Sequence, residues 1–90
     1  MSITTDYQIV NQKGLHARAS AKFVEVVEEF DARCEVEKDG MSASGDSIMG
    51  LLMLAASVGS TIRVAIEGPQ AEELAEALKV LIADKFGEDM

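Results

Sequence analysis

One histidine, His16, lies among the 90 residues, and its neighbours suit a phosphate. It is the third residue of Gly14-Leu15-His16-Ala17-Arg18, after a glycine turn and just before a stretch with helical periodicity. The first amides of a helix have no intrahelical partner and point outward, so a helix start attracts anions. Imidazole is a nucleophile when neutral, and an ordinary imidazole titrates near pH 6.5, which leaves it mostly neutral at pH 7. A guanidinium two residues on can fork onto phosphate oxygens with charge-assisted hydrogen bonds. Together these groups suit accepting and holding a phosphoryl group, a task that asks a protein mainly for positioning and charge compensation. Taken singly, a lone histidine is more often a cap or a half-buried surface residue, and a helix-start arginine is often just solvated. The glycine before and the arginine after argue for the chemical reading.

Something must position these residues, and the composition bounds what it can be. Ninety residues make one domain, 1–90, with a modest core and little room for a deep substrate cavity. That weighs against a self-sufficient metabolic enzyme and favours a carrier, binding or regulatory module. A hydrophobic fraction of 48% marks a chain that folds. No run approaches about 18 uninterrupted apolar residues, so no membrane span is expected. The opening Met1-Ser2-Ile3-Thr4-Thr5-Asp6 lacks the basic and apolar regions of a signal peptide. The single cysteine, Cys34, allows no internal disulfide and reads as a small buried hydrophobe in a reducing, cytoplasmic compartment. No carboxylate pair or cysteine cluster offers a metal site, and neither metal nor cofactor is expected.

The net charge is −8, which argues against nucleic acid as a partner. It is unevenly placed. Lys13, Arg18 and Lys22 against Asp6 leave residues 1–22 at +2, so the remainder carries −10. A positive neighbourhood around His16 on an otherwise acidic protein would steer an anionic group or an acidic partner face to that spot.

Residues 3–10 are rich in β-branched side chains, with Ile3, Thr5, Tyr7 and Ile9 on one face, and read as a strand. Asn11-Gln12-Lys13-Gly14 is a turn. From 16 to 30, Ala19, Phe23, Val26, Val27 and Phe30 recur at helical spacing opposite Lys22, Glu25, Glu28 and Glu29. Residues 32–38 alternate as a half-buried strand, Asp39-Gly40 signals a hairpin, and 41–44 form its partner. Gly45-Asp46-Ser47 caps a short helix through 48–55, which Gly59 should stop. Residues 60–67 alternate again. Gly68-Pro69 opens a last helix with Glu72 and Glu73 in its first turn and Ala71, Leu74, Ala75, Leu78, Leu81 and Ile82 as its stripe. The tail from Gly87 to Met90 is expected to fray.

The order β-α-β-β-α-β-α, with one apolar face per strand, predicts an α+β open-faced β-sandwich. Its four-stranded, mostly antiparallel sheet would carry three helices on one face.

The chain resembles HPr, the histidine-containing phosphocarrier family of the bacterial phosphotransferase system. Gly-Leu-His-Ala-Arg at 14–18 is similar to that family's active-site motif, and Ser47-Ile48-Met49-Gly50-Leu51 to its second signature. Gly59-Ser60-Thr61-Ile62 and Glu67-Gly68-Pro69 match in kind and spacing. Phe30-Asp31-Ala32, Leu51-Leu52-Met53-Leu54 and Gly68-Pro69-Gln70 look more like the nitrogen-type, NPr-like branch than the sugar-transport branch. The family usually has proline after the arginine; this chain has Ala19, which also suits a helix start and returns a backbone donor.

The resemblance implies that His16 takes a phosphoryl group on Nδ1 from Enzyme I and passes it to an EIIA-type protein. Arg18 would stabilise the phosphate, and the backbone N–H groups of Ala17 and Arg18 would face it. Ser47 is a helix cap by position, worth about 1 kcal/mol. The resemblance adds a regulatory role, phosphorylation there by an HPr kinase/phosphorylase. The short second helix is apolar on nearly all sides, so one side packs and the other is left as a docking surface; the resemblance favours Ile48, Met49 and Leu52 as its outward residues. Flexible methionines suit several partners. The second reading is a regulatory binding module whose phosphorylation state effectors read. A small ligand-binding α+β domain would need a cavity this chain can hardly spare. Nothing in the sequence points to an oligomer, and a monomer is expected.

Overall fold

A computed structural model describes all residues, Met1 to Met90. The elements are β1 (Ser2–Gln8), α1 (Ala17–Glu28), β2 (Arg33–Lys38), β3 (Met41–Ser44), α2 (Ile48–Met53), β4 (Thr61–Glu67) and α3 (Ala71–Ala83), followed by a 3-10 turn at Lys85–Gly87. The sheet order is β1-β4-β2-β3 and every pairing is antiparallel. β1 and β2 are therefore parallel with β4 between them, and β3 and β4 are parallel with β2 between them. Two split β-α-β units interlock, one around α1 and one around α2. The expected α+β open-faced sandwich is the observed fold.

Register puts the apolar side of each strand on one face. Tyr7 pairs with Ile62, Ile3 with Ile66, Cys34 with Ile66 and Val36 with Val64. All these except the half-buried Ile3 are buried. The other face carries Thr4, Asp6, Arg33, Glu35, Glu37 and Arg63 and meets water. Onto the apolar face the helices press Phe23, Val24 and Val27 from α1, Leu51 from α2, and Leu74, Leu78 and Ile82 from α3. Each such large side chain gains about 1.5–3 kcal/mol by leaving water. Tyr7 crosses this layer and donates its hydroxyl to the Ala75 carbonyl at 2.8 Å. The β2–β3 hairpin turns on Asp39 and Gly40, at φ 53° and 82°, the left-handed pair that a two-residue hairpin requires.

Several boundaries differ from those expected. α1 stops at Glu28, its last turn tightened by a bond from Glu29 N–H to the Val26 carbonyl. α2 ends at Met53, well before Gly59, because Ala55 itself takes the left-handed conformation at φ 52° that usually falls to glycine. Gly59 instead lies in the turn before β4 and donates its amide to the Ile9 carbonyl at 2.8 Å. Gly68, Pro69 and Gln70 form a turn ahead of α3, closed by Ala71 N–H on the Gly68 carbonyl. Gln70 is the N-cap of that helix but makes no side-chain cap bond; its side chain accepts from the Asp31 amide at 2.7 Å.

The largest correction concerns residues 87–90, which are docked. Lys85 and Phe86 both take φ near 56° and swing the chain back under α1, so that Phe86 is fully buried. Lys22 Nζ donates to the Phe86 carbonyl at 2.7 Å, and Gln12 N–H to the Met90 carbonyl at 3.0 Å.

Candidate functional site

Gly14 fixes the approach to His16. Its φ of +69° is left-handed, and a Cβ there would lie 2.5 Å from the Ala56 carbonyl oxygen. No other residue fits without moving the backbone. The next amide, Leu15 N–H, donates to that same Ala56 oxygen at 2.8 Å. The His16 loop is thus pinned to the segment that follows α2. Leu15 is buried, and its carbonyl accepts from Ser20 Oγ at 3.2 Å.

His16 is the N-cap of α1, with φ −81° and ψ −173°. Its Nδ1 accepts from the Arg18 amide at 3.3 Å. Its Nε2 faces Oε2 of Glu88 in a direct hydrogen bond. A carboxylate only accepts, so the proton sits on Nε2 and the lone pair on Nδ1; the tautomer follows from the two partners. The ring is 28% exposed and the Glu88 side chain 13%.

Glu88 is held on both oxygens. Asn11 Nδ2 donates to Oε1 at 3.0 Å and also to the Gly14 carbonyl at 2.8 Å. Asn11 is completely buried and its Oδ1 has no partner. Enclosure alone would raise the Glu88 carboxyl pKa, but the hydrogen bonds from His16 and Asn11 and the nearby positive charge of Lys13 outweigh it and hold the pKa below the ordinary value.

Arg18 is exposed and makes no ion pair. With Lys13 and Lys22 it lines a cleft of about 300 Å³ whose other wall is Glu88 and Asp89. The positive neighbourhood expected around His16 is present, crossed by an acidic tail. The Arg18 amide is occupied by Nδ1 itself. The amides of Ala17 and Ala19 donate to no protein acceptor, so the alanine at the position usually held by proline does leave a spare donor.

Ser47 is the N-cap of α2, and its hydroxyl accepts from the Gly50 amide at 3.0 Å. Leu51 and Leu54 turn inward. Ile48 is 40% exposed, Met49 69% and Met53 68%, while Leu52 is half-buried. Ala56 and Ser57, which abut the His16 loop, follow directly after this helix, and Val58 beyond them is exposed as well. Sequence reasoning placed His16, Ala17, Arg18 and Ser47 at helix starts, where they are. It missed Asn11 and Glu88. The spacing Leu74, Leu78, Ile82, Phe86 carries the buried stripe of α3 into the tail and was the available sign that the tail is held.

No helix is long and apolar enough to cross a membrane. A family model described as the PTS HPr component phosphorylation site matches residues 3–84. The phosphocarrier protein HPr of Cupriavidus necator is 43% identical over 83 residues, 92% of this chain and 93% of that one. The phosphocarrier protein NPr of Escherichia coli K12 is 37% identical over 90 residues, 99% of this chain and 100% of that one. The crystal structure of HPr-C-His from Thermoanaerobacter tengcongensis superposes with a TM-score of 0.91 at 39% identity, covering 98% of this chain and 99% of that one. The chain belongs to the HPr family of phosphocarrier proteins of the phosphotransferase system.

Proposed function

We propose that His16 is the phosphoryl acceptor and donor of a cytoplasmic relay, taking phosphate from Enzyme I and passing it to an EIIA-type protein. The observation that carries this reading is the state of the ring. Its proton is on Nε2 and its lone pair on Nδ1, held only by the long bond from the Arg18 amide, beside a helix start and an unpaired guanidinium. The lone pair attacks phosphorus. Once Nδ1 is bonded, the Arg18 amide loses its acceptor and can turn to a phosphoryl oxygen, joined by the Ala17 amide and the Arg18 guanidinium. Ile48, Met49 and Leu52, with Met53, form the docking surface for both partners, since the segment after α2 touches the His16 loop.

Ser47 is the regulatory position. Phosphate there would add about −1.5 to −2 charges at a helix start, which the fold tolerates and an apolar or acidic partner surface does not. The exposed side of α2 also favours a second reading, a regulatory module whose effectors distinguish the phosphorylated from the free form.

Intact mass after incubation with phosphoenolpyruvate and a cognate Enzyme I tests the first reading. One acid-labile phosphate on the wild type and none on His16→Ala is expected. Equal labelling of both, or of neither, refutes it. Pull-downs with the two forms test the second, which fails if the partner sets are the same.

A further inference from the structure

We propose that Glu88 is a positioning residue that assigns the phosphoryl group to Nδ1 of His16 by occupying Nε2. This deepens the carrier reading above and rests on it. An imidazole offers two nitrogens, and a neutral ring accepts at whichever one lacks the proton. Here one carboxylate oxygen holds the Nε2 proton and physically covers that edge. The other is bound to Asn11, whose second hydrogen is fixed on the Gly14 carbonyl, in the turn that sets His16. The carboxylate is therefore not a mobile surface charge that happens to meet a histidine. It is anchored through the buried Asn11 and through Phe86, two residues before it.

The transfer balances with the proton left in place. The Nδ1 lone pair forms the new N–P bond while the bond from phosphorus to the donor breaks and its electron pair leaves with the donor. Nε2–H is retained, so the ring becomes a phosphoimidazolium whose positive charge faces the Glu88 carboxylate. On the return step the N–P electrons go back to Nδ1, and the same neutral tautomer is restored. The other charges around this pair are Lys13 from the loop, Arg18 and Lys22 from α1, and Asp89 from the tail. None of these is hydrogen-bonded to Nε2.

The test uses phosphoramidate as the donor, which needs no Enzyme I. Its zwitterion already carries the proton with which the leaving nitrogen departs as ammonia. Wild type, Glu88→Ala and Glu88→Gln are labelled, and the phosphohistidine isomers are separated by phosphorus and nitrogen NMR of the folded protein. Wild type should carry Nδ1-phosphate alone. Glu88→Ala should give a mixture in which the Nε2 isomer is about a tenth of the label or more, so that the remaining discrimination is no more than about tenfold, equivalent to about 1.4 kcal/mol. Glu88→Gln keeps one acceptor, its amide oxygen, which can turn to Nε2–H while the Asn11 bond is lost; it should restore Nδ1 labelling although the tail is held less tightly, which a merely structural role would not predict. Nδ1 labelling alone in Glu88→Ala overturns the proposal, and so does a Gln variant that scrambles as much as Ala. The carrier reading fails separately: wild type would label from phosphoramidate but take nothing from phosphoenolpyruvate through Enzyme I. A wild type that takes no phosphate from either donor overturns both.

Discussion

Asn11 Nδ2 lies 3.0 Å from Oε1 of Glu88, joining residues 77 positions apart in the sequence. Because Asn11 is fully buried and also holds the Gly14 carbonyl, it ties the turn before His16 to the tail after α3. Asn11→Ala removes both bonds and leaves the Gly14 carbonyl with only the His16 amide as donor. A loss of about 1–3 kcal/mol is expected from urea unfolding, together with faster amide exchange at Gln12, whose N–H is bonded to Met90. Unchanged exchange at Gln12 would show that the tail docks without Asn11.

Arg18 has no ion pair to lose, so Arg18→Ala should leave the melting temperature nearly unchanged. Phosphoryl acceptance is another matter. Charge-assisted hydrogen bonds to the phosphate are worth about 1.5–3 kcal/mol, so kcat/KM with Enzyme I should fall roughly tenfold to a hundredfold. Single-turnover kinetics on the folded variant would read this directly.

The tail should respond to acid. The Glu88 carboxyl pKa is lower in the folded protein than in the unfolded chain, so its docking contributes stability that is fully present above the ordinary carboxylate range. That contribution is lost as the pH falls through the lowered folded value. A titration followed at the Asn11 side-chain amide should show release of the tail below the usual glutamate range, and Glu88→Gln should abolish that step.

Alkali acts on the other side of the molecule. Burial, aided by the negative charge of Asp46, pushes the Cys34 thiol up to about 12. Burial, with the negative charges of Cys34 and Glu76, pushes Tyr7 up to about 12 as well. Both groups keep their protons longer in the folded state, so stability should decline as pH rises above their ordinary values of 9.0 and 10.0. At pH 8 native Cys34 should resist iodoacetamide and react only in denaturant. Rapid alkylation of the folded protein would contradict the burial.

Ala55 pays a conformational penalty at φ 52° that glycine would not. Ala55→Gly should raise stability by up to about 1 kcal/mol in urea unfolding, because relief of left-handed strain outweighs the added freedom of the unfolded chain.

Most of the architecture was legible in the sequence because each strand alternates cleanly. Ile62, Val64 and Ile66 against Arg63 and Ala65 leave little choice of face. Helix ends were harder to read. Gly59 reads as the stop of α2, but the helix ends at Met53, the left-handed turn falls on Ala55, and the Ala56 carbonyl beyond it is held by Leu15, a contact across 41 residues of sequence. His16, Arg18 and Ser47 could be found because helix starts have local signatures. Asn11 and Glu88 could not, since an asparagine in a turn and an acid near a tail carry no local sign that they meet. Only the chain reversal at Lys85 and Phe86 brings Glu88 to the ring.

The place of β4 has a consequence for how the molecule comes into being. β4 lies between β1 and β2, yet it is the last strand to be synthesised. A growing chain that has reached residue 60 can form the β2–β3 hairpin and a nascent α1, but β1 has no neighbour with which to pair. Tyr7, Val36 and Phe23 then have no finished layer to enter. The sheet closes in one event once residues 61–67 arrive, joining segments nearly 60 residues apart. Such long-range pairing favours slow, all-or-none folding over stepwise assembly. The same insertion means that losing β4 would cut β1 away from the rest of the sheet.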